Sequence, residues 1–242
     1  MLLGYCILKA GPGLELPRGL ADAPLAIVEQ SGLAIAVSEL PALGSAPSMD
    51  DVQTFAEVIR RLHEQRTVLP LRYGTAQLTS EQWRRTLEDK KDAIGSVLEV
   101  LDGCDEWTIK MAADVTVQSP PSRADSGLAY LSARQAAYRE AESLQNRLED
   151  QAGKTVADLG GIVRKWRCEL AKLQPKAVLA IHLLVPRAQA ETLHEKLRQL
   201  QANGRAITEL SGPWPPYNFA ALTPEEAAAS ANLFEVGLLG SY

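Results

Sequence analysis

The sequence predicts an α+β protein of two domains, and three observations carry that expectation. The first 40 residues are rich in strand and hairpin signals. Two amphipathic helices follow, each opened by a capping box. The second half places an almost wholly apolar strand, Ala177 to Val185, among helical periodicities. At 242 residues and 46% hydrophobic, the chain has enough apolar surface for a substantial core.

Leu3 to Lys9 is a short apolar run ended by Gly11-Pro12-Gly13, and it predicts the opening strand. Leu25 to Glu29 and Leu33 to Val37 flank Ser31-Gly32, which predicts a hairpin. Ser48 with Asp51 three residues on forms an N-terminal cap, and Val52, Phe55, Ile59 and Leu62 follow at helical spacing. Val68 to Arg72 is a return strand. Thr79 and Gln82 then open a second helix whose stripe is Trp83, Leu87, Ile94, Leu98 and Leu101, stopping at Asp102-Gly103. These elements define an N-terminal α+β domain over residues 1–102.

The remainder, residues 103–242, forms the second predicted domain; the strand near Trp107 leaves residues 118–123 as an alternative border. Trp107 to Met111 is a strand, and Gln118 to Arg123 a proline-containing loop. A long helical region is expected from Leu128 to Leu173, with Val156, Leu159, Val163, Trp166 and Leu170 on its stripe. Gly153 and the pair Gly160-Gly161 are expected to break or kink it. After the strand to Val185, Pro186 opens a helix with Leu193, Leu197 and Leu200 on one face, closed by Asn203-Gly204. The resulting β-α-β-α-β order packs helices on a sheet. Thr223-Pro224-Glu225-Glu226 opens a short alanine-rich helix, and the apolar tail from Leu233 to Leu239 is expected to pack on its own domain.

Composition narrows the function. Twenty-five basic against thirty acidic residues give a formal charge of −5, which argues against nucleic acid as a partner. Cys6, Cys104 and Cys168 fit no metal or redox spacing and suggest free thiols in a reducing compartment. Neither a signal peptide nor a membrane span is apparent, so a cytoplasmic protein with no membrane partner is expected.

Catalytic motifs fail one by one. Ala152-Gly153-Lys154-Thr155 resembles the end of a phosphate loop, but Leu148 stands where glycine is required. His63-Glu64 has no second histidine a helical turn on, His182 reads as a satisfied sheet residue, and His194 sits on a solvated helix face. No nucleophile elbow is present. The expectation is a non-enzymatic protein with no cofactor and no metal.

Two segments stand out. Ser211-Gly212-Pro213-Trp214-Pro215-Pro216-Tyr217-Asn218-Phe219 is a stiff ribbon that cannot be a central strand, because each proline fixes φ and lacks a backbone donor. Far upstream lies Val68-Leu69-Pro70-Leu71-Arg72-Tyr73-Gly74-Thr75. Together with Glu106 to Lys110 and Gly127 to Leu131, they resemble the gas vesicle accessory proteins of the F and L type, in order and rough spacing. Tyr73 stands where that family commonly has Phe, and Ser119 to Ser126 is particular to this chain.

The resemblance implies a modified ferredoxin-like C-terminal domain with long helices. It also implies a role in gas vesicle assembly: binding the hydrophobic major shell protein to prevent its aggregation or nucleate the shell, alongside other accessory proteins. The protein itself would be a minor vesicle component. Arg72, Tyr73, Trp214 and Tyr217 are the candidate partner-binding residues. Arg72 is either a structural ion pair or a partner contact, and the rings are either interface anchors or core plugs. A ligand-sensing α+β regulatory module is the alternative function.

Overall fold

The computed structural model describes residues 1–42, 47–112, 139, 143, 146–173 and 176–221. The proline loop at 118–123, the start of the long helical region, the Gly127 to Leu131 motif and the tail beyond 221 lie outside the described residues. The chain divides into two compact units: Met1–Glu106 with Pro213–Tyr242, and Trp107–Gly212. The border expected after residue 102 thus falls after Glu106 in this division, and the ribbon from Pro213 groups with the first unit rather than with residues 103–242.

The first unit is built on one sheet. Strands β1 (Leu2–Lys9), β2 (Leu25–Gln30), β3 (Leu33–Glu39) and β4 (Val68–Pro70) run in the order β2-β3-β1-β4, with β5 (Ala76–Gln77) also pairing β1. The β2–β3 hairpin turns through Ser31 and Gly32, both left-handed at φ 54° and 80°, as a two-residue hairpin demands. A register shift between Gly4 and Cys6 inserts Tyr5 as an extra residue in β1. That bulge re-aims the strand, so Leu3, Tyr5, Cys6 and Leu8 all join one core cluster. The buried Tyr5 hydroxyl accepts from the Leu20 amide at 3.0 Å and bonds Ser38 Oγ at 2.8 Å.

Helix α1 (Met49–Gln65) covers that cluster with Phe55, Val58, Ile59 and Leu62. Its capping box is present as expected: Ser48 Oγ accepts from the Asp51 amide, and Asp51 returns an acceptor to Ser48 N, both at 3.1 Å. On the other face, Trp83 packs where Gly4 leaves room. A Cβ on Gly4 would stand 2.9 Å from both Leu71 and the Trp83 ring. The helix expected from Thr79 to Leu101 is two helices, α2 (Ser80–Asp89) and α3 (Lys91–Leu101), broken at Lys90 with φ −108° and ψ 13°. The run Asp89-Lys90-Lys91-Asp92 carries no apolar side chain to hold that turn against the sheet, and the regular ladder lapses there.

A second sheet, lying mostly in the second unit, holds β6 (Cys104–Ala112), β7 (Lys165–Leu173), β8 (Lys176–Pro186) and β9 (Ile207–Trp214) in the order β7-β8-β6-β9. Helix α4 (146–158) and helix α5 (Ala190–Ala202) pack on one face of this sheet. The long helix expected to reach Leu173 is corrected here: it ends by residue 158, and β7 takes its last stretch. Gly160 and Gly161, at φ 65° and 80°, turn the chain out of the helix. Trp166, Cys168 and Leu170 then face the core at a period of two, while Arg167 and Glu169 alternate with them. Gly153 does not break α4. Strand β8 runs through Pro186, and the helix expected to start there begins at Ala190, after a 3-10 turn.

Candidate binding groove

The two stretches singled out in the sequence meet in the first unit. A groove of about 650 Å³ opens beside β4, which pairs with β1 and ends the strand order among the described residues. Val52, Phe55 and Ala56 of α1 form one wall; Trp83 and Thr86 of α2, with Ile94 of α3, form the other. Leu69 to Tyr73 lie along its length, and Tyr217, Ala220 and Ala221 close it. Three of the four candidate residues, Arg72, Tyr73 and Tyr217, therefore line one cavity. Trp214 does not line it and is 45% exposed.

Local chemistry explains how each is set. Pro70 ends β4, and Gly74 at φ 87° lets the chain turn so that the Arg72 carbonyl accepts from Thr75 N at 3.1 Å and Thr75 Oγ1 at 2.7 Å. Arg72 is exposed on this turn. Tyr73 stands edge-on to Phe55 at 5.3 Å, and Phe55 stacks on Tyr5 at 5.0 Å. Burial, then Asp51 and Tyr5, raises the Tyr73 phenol above its ordinary range. Tyr73 is thus a half-buried member of an aromatic row, with its ring on the core and its edge toward the groove.

The ribbon seats Tyr217 by a different device. Pro215 and Pro216 are buried, and a 3-10 turn covers Tyr217–Phe219, with Phe219 buried. Glu106, only 3% exposed, accepts from Asn218 N at 2.8 Å and from Asn218 Nδ2 at 2.6 Å. Tyr217 keeps 41% of its surface exposed, yet burial of its hydroxyl, followed by Cys6 and Glu106, pushes the phenol well above the ordinary range. It remains a neutral donor at any physiological pH.

Among the described lining residues the charged groups are Arg72 and Lys90, both cationic, and there is no carboxylate, histidine or cysteine. Such a lining suits binding of an apolar segment rather than proton transfer. Among the described residues no cluster of three His, Cys, Asp or Glu forms a metal site, and no helix is long and apolar enough to cross a membrane. Sequence reasoning passed over Val52, Trp83 and Lys90 as groove residues, and over Glu106 as the anchor of the ribbon. The available signal was the pair of carboxylates, Asp105 and Glu106, directly before the apolar Trp107 in the strand from Cys104 to Met111.

Comparison with known proteins agrees with the sequence resemblance. The family described as "Gas vesicle synthesis protein GvpL/GvpF" matches residues 2–221, and the chain belongs to it. It is 31% identical over 234 residues to gas vesicle protein L of Streptomyces sp. strain CB03234, covering 89% of this chain and 87% of that one. To gas vesicle protein L2 of Halobacterium salinarum it is 24% identical over 239 residues, covering 84% and 83%. Its fold is similar to the crystal structures of GvpF from Anabaena sp. PCC7120 and Microcystis aeruginosa. Their TM-scores are 0.66 and 0.68, at 14% and 16% identity. The matches cover 92% and 91% of this chain, and 96% and 98% of those structures. Mixed helix and sheet is thus the fold these relatives share.

Proposed function

We propose that this protein serves gas vesicle assembly without catalysis, by binding the hydrophobic major shell protein and holding it from aggregation until it joins the shell. Other gas vesicle accessory proteins are its expected neighbours, in the cytoplasm and at the vesicle, and its two units act as domains. The second is read as ferredoxin-like, a reading supported by the strand order β7-β8-β6-β9 with helices on one face.

The observation that carries the function is the convergence of Arg72, Tyr73 and Tyr217 on one apolar groove, in a chain of the GvpL/GvpF family. A subunit that will line a gas space carries an apolar face, and an accessory protein with a matching groove shields it beforehand. Rigid aromatics at the mouth concentrate binding energy, so truncating Tyr217 should cost more than about 1 kcal/mol of affinity.

The test is a pulldown and a light-scattering assay with purified shell protein. Binding and a delayed rise in scattering are expected from the wild type. In Arg72→Ala and Tyr217→Ala, weaker binding with unchanged melting is expected. No detectable binding by the wild type would overturn the reading. A stoichiometric small metabolite that co-purifies in the groove would instead favour a ligand-sensing module.

A further inference from the structure

We infer that the outer edge of β7 is an interface for a second copy of this chain: two β7 strands pair antiparallel about Cys168 and join two four-stranded sheets into one. This surface lies within the second unit, and its argument is independent of the groove and of the function proposed above.

Burial marks β7 as the margin of its sheet. Every residue from Trp166 to Leu170 is half-buried. Their partners across the ladder, Leu183 back to Leu179 on β8, are all buried. Both faces of β7 therefore still reach solvent where both faces of β8 are covered, and β7 ends the strand order among the described residues. The strand runs nine residues, keeps an unbroken register with β8, and contains neither proline nor glycine. At the far end of this sheet, β9 carries Gly212 and Pro213 instead. An edge as regular as β7 offers its outward N–H and C=O groups to another strand.

Geometry and charge together select the partner. Along an antiparallel edge every second residue turns its backbone outward, and outward residues must meet one another. Two copies of one strand can therefore pair only about a residue, never between two. Pairing about Arg167, or about Glu169, sets that residue against itself, and like charges directly opposite are destabilising. Pairing about Cys168 sets Arg167 against the partner's Glu169, and Glu169 against the partner's Arg167. On the helix side it sets Trp166 against the partner's Leu170, an apolar pair beside the core. The run Trp-Arg-Cys-Glu-Leu is thus complementary to its own reversal, as a two-fold interface requires. A foreign strand would need no such property, so the pattern argues for a second copy.

The two charged side chains can take a further partner beside those they hold. Glu169 meets His182 through Oε1 at 3.3 Å, and a carboxylate accepts through both oxygens. The Arg167 guanidinium carries several N–H donors in a planar fork.

The experiment uses the full chain in analytical ultracentrifugation over a concentration series, where a monomer–dimer equilibrium is expected. Arg167→Glu and Glu169→Arg each place two like-charge pairs across the axis and should each weaken dimerisation about tenfold or more. An equimolar mixture of the two variants restores opposite charges in the mixed dimer and should recover association. Hydrogen exchange of the wild type provides a second readout should a variant fail to fold, which circular dichroism will show: amides in residues 165–170 should exchange more slowly at high protein concentration than at low. A wild type that stays monomeric overturns the inference. So does a dimer whose 165–170 amides exchange alike at both concentrations, a folded single variant that associates like the wild type, or a mixture of folded variants that stays monomeric.

Discussion

Glu106 receives both the backbone and the side-chain N–H of Asn218, at 2.8 and 2.6 Å, across 112 residues of chain. The carboxylate is buried, so its donors decide whether that burial is tolerated. Asn218→Ala keeps the backbone bond and loses the other, and should cost about 1–3 kcal/mol. Glu106→Gln presents a donor where an acceptor is required and should cost a similar amount. Denaturant unfolding checks both. A midpoint unchanged in either variant would show that the clamp does not hold the turn.

Gly4→Ala should destabilise the first unit by about 1–3 kcal/mol through overpacking. The new methyl would meet Leu71 and Trp83 at 2.9 Å and Ile35 at 3.0 Å. Trp83 has little freedom to retreat, since it is 2% exposed and its indole N–H donates to the Leu2 carbonyl at 3.2 Å. Because Leu71 and Trp83 also wall the groove, the same variant should weaken shell-protein binding. Wild-type melting would refute the packing argument.

Acid sensitivity is expected from a polar row across the second sheet. Thr108 Oγ1 lies 3.0 Å from His182 Nδ1, and His182 Nε2 lies 3.3 Å from Glu169 Oε1. The hydrogen bond from His182 holds the Glu169 carboxyl below its ordinary value of 4.5, against the opposing effect of burial. A carboxyl depressed in the fold takes up its proton more readily when the chain unfolds. Its contribution is therefore complete above the unfolded value and fades as pH falls through the folded one. Between about pH 5 and pH 3 the wild type should lose more stability than Glu169→Gln. Melting curves that fall in parallel would assign the acid loss elsewhere.

Thiol chemistry should be slow in the native protein. Burial pushes the Cys6 thiol far above the ordinary range, and Cys168 is pushed up to about 11, by burial first and then by Glu149. Cys104 is buried as well. The thiolate is the reactive form, so a disulfide reagent at about pH 8 should find little to attack until denaturant is added. Unfolded chains should then titrate all three cysteines. Fast stoichiometric labelling of native protein would contradict the burial.

What the sequence disclosed was mostly local. The Ser31-Gly32 hairpin, both capping boxes and the apolar β8 depend on neighbours a few residues apart, and each is present. Strand β7 escaped because Trp166 and Leu170 fit a helical spacing and a strand spacing equally. Cys168 between them, packed on the same core, is what separates the two readings. Arg72, Tyr73 and Tyr217 were each legible as candidates, but not their common cavity. Trp214 drew notice for its ring and stands outside that lining. The Glu106–Asn218 clamp spans too much chain for any periodicity to reveal it.

The first unit is made of two separate runs of chain, whereas the second is the single run Trp107–Gly212. Synthesis delivers these pieces in order, so sheet, α1, α2 and α3 emerge long before the ribbon that carries Tyr217. Until Asn218 has cleared the ribosome, Glu106 waits without that clamp and the groove lacks its Tyr217 side. A nascent or prematurely terminated chain thus presents an unfinished cavity. Arrest of translation before residue 217 should yield a fragment with an intact second unit and no grip on an apolar client.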